Sequence, residues 1–274
     1  MSKQKRHFSP RASSGRPVAT SWEPLAEWYD GWVGKEGSLH HRKLAIPALL
    51  ELLLPQPGEE ILDLGAGQGV LAPYIASAKA RYTGVEASEK LVQIARHYHG
   101  RKGRFLCGDV RHLRALPGIR GGSFAAVTFL LSLQDMDPLD EVLASAAWAL
   151  APGGRVVILM THPTFRVPRQ SGWGWDPSRK LRYRRVDRYL TPLVVPLKAY
   201  PVKGQGEAQP GATRSFHRPL QAYVNALAAQ GLWLNALNEI PTYKRSRGNA
   251  QAEAENRANE EIPLFLALRA VKMG

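Results

Sequence analysis

Three glycines and three acids are the residues of this chain best placed to do chemistry. Gly65, Gly67 and Gly69 follow directly on the apolar run Ile61–Leu64, which only Asp63 interrupts. Glycine admits positive φ and carries no Cβ, so a ligand can approach the backbone closely. A helical pattern opens behind the turn, with Leu71, Tyr74 and Ile75 on one face. The N-terminus of such a helix offers free N–H groups and a positive dipole end. Strand, glycine turn and helix read as a nucleotide-type binding corner. Tyr82–Glu86 reads as a second strand ending in an acid, and Phe105–Val110 as a third, with Asp109 near its end. A carboxylate at Glu86 can accept both hydroxyl protons of a ribose. The dinucleotide fingerprint, Gly-x-Gly-x-x-Gly, would need glycine where this chain has Val70.

With Asp63 two residues before the first glycine, Ile61–Leu71 resembles motif I of class I S-adenosylmethionine-dependent methyltransferases. The resemblance covers residues 40–160 and extends loosely over the remainder. It implies that Asp63, Gly65, Ala66, Gly67 and Gly69 wrap the methionine end of S-adenosyl-L-methionine. It further implies that Asp109 takes the adenine amino group and the Val110 N–H a ring nitrogen. Leu130 and Leu131 lie where the family's fourth strand meets the amino-acid end of the cofactor. The turn Ala151-Pro152-Gly153-Gly154 before a hydrophobic strand is similar to that of the ubiquinone/menaquinone-biosynthesis-like branch, which acts on small molecules. A glycine turn that merely links strand to helix is the bland alternative. Two acids after successive strands weigh against it.

The elements that must position these residues alternate between strand and helix. Helical patterns span Leu39–Leu54, Glu89–Tyr98, Leu139–Leu150 and Leu220–Gln230. Strand patterns span Phe124–Leu131, Arg155–Met160, Leu232–Ile240 and Leu264–Val271. This is an α/β pattern, and with the resemblance it predicts a doubly wound, seven-stranded Rossmann-like methyltransferase sheet with an antiparallel edge strand. Residues 161–218 are too long for an ordinary connection and read as an inserted cap within one domain, 21–274. Gly211–Phe216 reads as a short strand in it, and Thr242–Glu261 as a mobile polar loop. Ser132–Pro138 leaves the C-terminal end of strand four, the edge where open parallel sheets place ligands. It lacks the Asn/Asp-Pro-Pro-aromatic signature of methyltransferases acting on adenine or glutamine amino groups.

The formal net charge of +14 is concentrated: residues 1–20 carry +5 and residues 161–204 carry +8. Residues 1–20 are basic and rich in Ser, Pro and Gly, which predicts disorder. They read either as an electrostatic arm for RNA or as a solvated tail. No run of about 18 apolar residues is present, so no membrane span is expected. The start lacks the apolar core of a signal peptide. The single cysteine, Cys107, reads as small core filler and suits a reducing cytoplasm.

Methyl transfer from a sulfonium needs alignment above all, and a general base only when the acceptor must lose a proton. His162, leaving strand five, reads as a base or substrate partner, or as a residue that only shapes the cap. Tyr29, in the aromatic segment Trp22–Trp32, reads either as a cover for the sulfonium or as core packing. Asp135 and His217 complete the acceptor-side candidates. His40, His41, His97 and His99 lack metal-ligand spacing, so no metal is expected. The cap's arginines and aromatics, among them Trp173, Trp175 and Tyr183, point to an anionic or aromatic small-molecule acceptor. An RNA methyltransferase using tail and cap, or a non-catalytic S-adenosylmethionine-binding protein, are the competing readings. The oligomeric state stays open.

Overall fold

The computed structural model describes residues 20–197, 213–248 and 250–273. The expected tail falls outside these, apart from Thr20, and so does the middle of the cap. Seven strands form one mixed sheet: β1 (Glu60–Leu64), β2 (Arg81–Glu86), β3 (Arg104–Cys107), β4 (Phe124–Leu130), β5 (Leu150–Thr161), β10 (Leu232–Ile240) and β11 (Phe265–Lys272). Their order is β10-β11-β5-β4-β1-β2-β3. β11 runs antiparallel to both β5 and β10, so the β10–β11 pair forms an antiparallel margin on an otherwise parallel sheet. Strands of a parallel sheet are covered on both faces and read as unbroken apolar runs. Ile61, Leu62, Leu64, Val127 and Phe129 accordingly have no exposed surface.

Two helical layers sandwich the sheet. α5 (Leu139–Ala149) and α6 (Leu220–Ala229) seal one face through Leu143, Ala146, Tyr223 and Leu227. α2 (Ile46–Leu53), α3 (Ala72–Ser77) and α4 (Glu89–His99) seal the other through Leu49, Leu53, Ile75 and Val92. The helix expected from Leu39 begins as a π turn, His41–Ala45, before α2. Pro47 has no N–H to donate, and the interrupted ladder widens just ahead of it. α1 (Ala26–Val33) lies before this layer and carries Trp28, Tyr29 and Trp32.

Between β5 and α6 the described chain forms two hairpin pairs, β6 (Ser171–Asp176) with β7 (Leu181–Val186) and β8 (Leu193–Pro196) with β9 (Arg214–His217). Two expectations change here. Thr242–Glu261 is not a loop throughout, because Ala250–Glu261 forms α7 against β7. Ala254 and Ala258, one turn apart, are its buried contact points. So small a stripe in a polar helix leaves little periodic signal. Cys107, expected in the core, is exposed at the end of the marginal strand β3.

Candidate functional site

The C-terminal ends of β1, β2, β3 and β4 open into one cavity of about 1200 Å³. Gly65 (φ +70°) and Gly67 (φ +55°) line it at the tip of β1. A Cβ on Gly65 would stand 2.6 Å from Met136 and 2.7 Å from Ser132, so the turn tolerates no side chain there. Four backbone amides of this turn are already engaged. Gly65 and Ala66 donate to the Val85 carbonyl, Gly69 to the Ala66 carbonyl, and Gly67 to Glu86 Oε2 at 3.0 Å. These four amides are therefore not free to meet a ligand. What the corner offers is bare backbone and a carboxylate.

That carboxylate, Glu86 at the end of β2, is held by the Gly67 and Ser88 N–H groups, one on each oxygen. Burial raises its pKa, against the pull of those two donors. Each oxygen keeps lone-pair capacity toward the cavity, which Glu86 lines. Asp109, just beyond β3, lines it as well, with Val110 and Arg111. Here a neighbour went unforeseen in the sequence. The Arg111 guanidinium grips both Asp109 oxygens at 2.5–3.0 Å and reaches the Asp137 carbonyl at 3.2 Å. Burial works to raise the Asp109 pKa, but Arg111 outweighs it and holds the carboxyl below its usual range. Asp109 thus meets a ligand as half of an ion pair. The signal was the Asp-Val-Arg run itself.

The opposite wall comes from α1, the end of β4 and β9. Tyr29 stands 3.5 Å from where a Cβ on Gly67 would be, and Trp22 meets its ring edge-on at 5.1 Å. Burial, then the charges of Glu86, Asp135 and Asp63, push the Tyr29 hydroxyl far up, so it stays protonated near neutrality. Leu130 and Leu131 line the cavity, Leu131 with φ +57°. A leucine in the left-handed region carries strain on the order of 1 kcal/mol, which packing must hold in place. Asp135 follows in the 3-10 turn Leu133–Asp135. Burial pushes its carboxyl up to about 7, against hydrogen bonds from Ser215 and Trp22.

Several expected site residues face elsewhere. Asp63 is buried behind the turn, accepting from Tyr82 at 2.7 Å and Thr128 at 2.8 Å, and does not line the cavity. Its register neighbours Gly84 and Thr128 leave it pointing across the sheet rather than out of its end. Ala66 packs toward Gly84, and Gly69 lies against Phe105, where a Cβ would approach to 2.5 Å. These three shape the turn from behind. His162 is turned away from the cavity: its Nδ1 accepts the Thr164 N–H at 3.2 Å, so Nε2 donates to Glu239 at 2.8 Å. With both nitrogens engaged, it has no lone pair for a substrate. His217 does line the cavity, with Nε2 donating to the Tyr189 carbonyl at 2.8 Å.

The basic cap turns little of its charge toward the cavity. Of its described arginines and lysines, only Arg166 and Arg218 line it. Arg166, Arg182 and Arg184 gather instead around the Trp173 ring, 5.2–5.4 Å from its centroid. Arg184 also donates to the Phe165 carbonyl and Ser171, and Arg182 lies 3.8 Å from Glu255 of α7.

Residues 62–158 match the family model described as a methyltransferase domain. Over that stretch the chain is similar to methyltransferases. It is 33% identical over 121 residues to a demethylmenaquinone methyltransferase of Tropheryma whipplei (strain Twist), covering 42% of this chain and 48% of that one. It is 30% identical over 134 residues to a ubiquinone biosynthesis O-methyltransferase of Idiomarina loihiensis, covering 47% and 55% respectively. The chain thus spans about half the length of these curated relatives. The crystal structure of an S-adenosylmethionine-dependent methyltransferase from Mesorhizobium loti superposes with a TM-score of 0.63 at 26% identity, over 82% of this chain and 96% of that one. The matched stretch holds the end of β1, β2 to β4 and most of β5, and with them the glycine turn, Glu86, Asp109 and Asp135. A sulfonium nucleoside fits the corner on chemical grounds. Gly65 and Gly67 bring bare backbone to the cavity wall, and the Glu86 oxygens keep lone pairs that could accept from a diol. Among the described residues no helix is long and apolar enough to cross a membrane.

Proposed function

We propose that this chain transfers a methyl group from S-adenosyl-L-methionine to a small-molecule acceptor that is anionic or aromatic. The observation that carries the reading is the single cavity with a glycine–glutamate corner at one wall and Asp135 at another. Pockets for one small ligand run to about 300–1000 Å³. About 1200 Å³ therefore leaves room for an acceptor beside the cofactor. When bound, S-adenosyl-L-methionine would supply an activated methyl group on a sulfonium. Gly65, Gly67 and the Leu130–Leu131 backbone would hold its amino-acid end, Glu86 its ribose, and Asp109 with Val110 its adenine. Arg111 would share Asp109 with the base. Asp63, Ala66 and Gly69 would set the turn's shape without touching the ligand.

On the acceptor side, Tyr29 closes the cavity over Gly67 and excludes water. Its protonated hydroxyl can donate but not act as a base. Asp135 takes that role in place of His162: a carboxyl with a pKa of about 7 can receive a proton near neutrality. Trp22, Trp28 and Phe216 give flat apolar walls, and Arg166 and Arg218 supply positive charge, which favours an anionic or aromatic acceptor. The cap arginines are drawn to Trp173 and backbone carbonyls, which lowers their use as phosphate contacts for RNA. A cytoplasmic location belongs to the same reading.

Calorimetry with S-adenosylhomocysteine tests the proposal. Binding of that nucleoside, with no heat from a pyridine dinucleotide, is the expected result. The reverse overturns it. Formation of S-adenosylhomocysteine with cell extract then separates an enzyme from a binder. Loss of turnover after RNase treatment would assign the acceptor to RNA.

A further inference from the structure

Four amides of the glycine turn are spent inside the fold, so they cannot answer a carboxylate at this corner. Residues 34–38, which follow α1, bring another donor to it. Buried Gln68, between Gly67 and Gly69, donates its side-chain amide to the Gly34 carbonyl. His99 of α4 donates from Nε2 to the Lys35 carbonyl at 3.0 Å. Gly37, at φ +85°, leaves no room for a side chain: a Cβ there would lie 2.9 Å from His41 Cβ and 3.7 Å from Val70 Cγ1. Val70 directly follows Gly69, so His41 packs beside the glycine turn.

Ser38 and His41 both line the cavity. The Ser38 hydroxyl and His41 Nδ1 are 2.8 Å apart, and the His41 backbone N–H reaches the same oxygen at 3.5 Å. The Ser38 oxygen accepts from the backbone, so its own proton serves Nδ1. That network assigns the ring proton of His41 to Nε2. Nε2 has no hydrogen-bond partner among the described residues, yet it is not one of the sealed, partnerless atoms of the fold, so it keeps accessible surface. His41 as a whole is only 3% exposed, and the space it borders is the cavity. Burial, then the neighbouring His40, pull its pKa down to about 4, so the ring is neutral at pH 7. A neutral imidazole N–H can meet a carboxylate without setting a second positive charge near a sulfonium, as a lysine or arginine would.

We infer that His41 holds the carboxylate of the cofactor's amino-acid end, its Nε2–H donating to one oxygen while Ser38 fixes the ring. The inference deepens the proposed methyl transfer and rests on its cofactor. It puts a recognition residue on the segment ahead of β1, apart from the glycine turn and the two acids. His41 lacks metal-ligand spacing in the sequence, and the structure gives it this other use.

The test is calorimetry on the full chain with S-adenosylhomocysteine and its decarboxylated analogue, which differ only in the carboxylate. His41→Asn keeps an amide facing Ser38 but does not reach the Nε2 position. It should weaken S-adenosylhomocysteine about 10–100-fold, the roughly 1.5–3 kcal/mol of a hydrogen bond to a charged group. The analogue should bind within about twofold of the wild type, which also reports that the variant is folded. His41→Gln, whose amide reaches the Nε2 position, should recover most of the lost affinity. Equal losses for both nucleosides would make His41 a residue that only shapes the wall, and would overturn the inference. So would a wild-type chain that binds the two nucleosides alike, or unchanged S-adenosylhomocysteine affinity in His41→Asn. Discrimination lost in Arg166→Gln but kept in His41→Asn would give the carboxylate to the cap and overturn it too. No heat from either nucleoside with the wild-type chain is a distinct result: it overturns the proposed cofactor and this inference with it.

Discussion

Glu86 Oε2 accepts the Gly67 amide proton at 3.0 Å, so the acid after β2 and the glycine turn after β1 are one rigid unit. Any ligand that meets the carboxylate also meets bare backbone at a fixed distance. Glu86→Gln would keep the shape, but its one oxygen can answer only one of the two backbone N–H groups, and its NH2 faces the other. We expect S-adenosylhomocysteine affinity to fall about 10–100-fold by calorimetry, the value of one or two charged hydrogen bonds. Unchanged affinity would remove Glu86 from the ribose.

Asp63 acts one layer further back. Its two oxygens accept from Tyr82 and Thr128 on the flanking strands, and burial pushes its carboxyl up to about 6. Asp63→Ala would leave two buried hydroxyls without acceptors, at about 2–4 kcal/mol in all. A lowered denaturation midpoint is expected, with nucleoside affinity weakened only through the turn it supports. Asp63→Asn should be milder. It should also flatten the wild-type dependence of stability on pH. A folded pKa raised above the unfolded one means stability is greatest in acid and falls as pH rises from about 4 to 6.

The sheet was readable because its signals are local and repeated. Ile61–Leu64, Phe124–Leu130 and Val156–Met160 are apolar runs whose period and length admit little but buried strands. Glu86, Asp109 and the glycines were readable because spacing along the chain sets their position at strand ends. What spacing cannot give is the direction of a side chain that has a partner far away in sequence. His162 leaves the right edge but is captured by Glu239, 77 residues on. Ser215 and Gln134 meet only because β9 packs on the turn after β4. The cap's charge was legible as a count, whereas its gathering around Trp173 depends on the β6–β7 pairing.

His162 lies outside the cavity, which separates stability from function. Its pKa is lowered by burial, with Glu239 pulling the other way. The folded state therefore resists protonation, and stability is lost as pH falls below the unfolded value near 6.5. His162→Gln should bind S-adenosylhomocysteine as the wild type does and show a weaker fall in thermal midpoint between pH 7 and pH 5. A tenfold loss of nucleoside or acceptor affinity in this variant would return His162 to the site.

Asp135 should show the opposite pairing of effects. A carboxyl with a folded pKa of about 7 is ionised at pH 8 in a place that disfavours its charge. The wild-type chain thus becomes less stable as pH rises from the unfolded carboxyl value near 4 through 7. Asp135→Asn removes that penalty and keeps the shape. Its thermal midpoint should exceed the wild type's at pH 8 by on the order of 10 °C, where each kcal/mol moves a chain of this size by about 2–4 °C. The gap should narrow steadily toward pH 4. Methyl transfer should fall in the same variant, since groups held at a perturbed pKa in a cavity trade stability for function. Parallel melting curves for the two proteins at every pH would mean that Asp135 is not strained, and its assignment as the proton acceptor would fall with that.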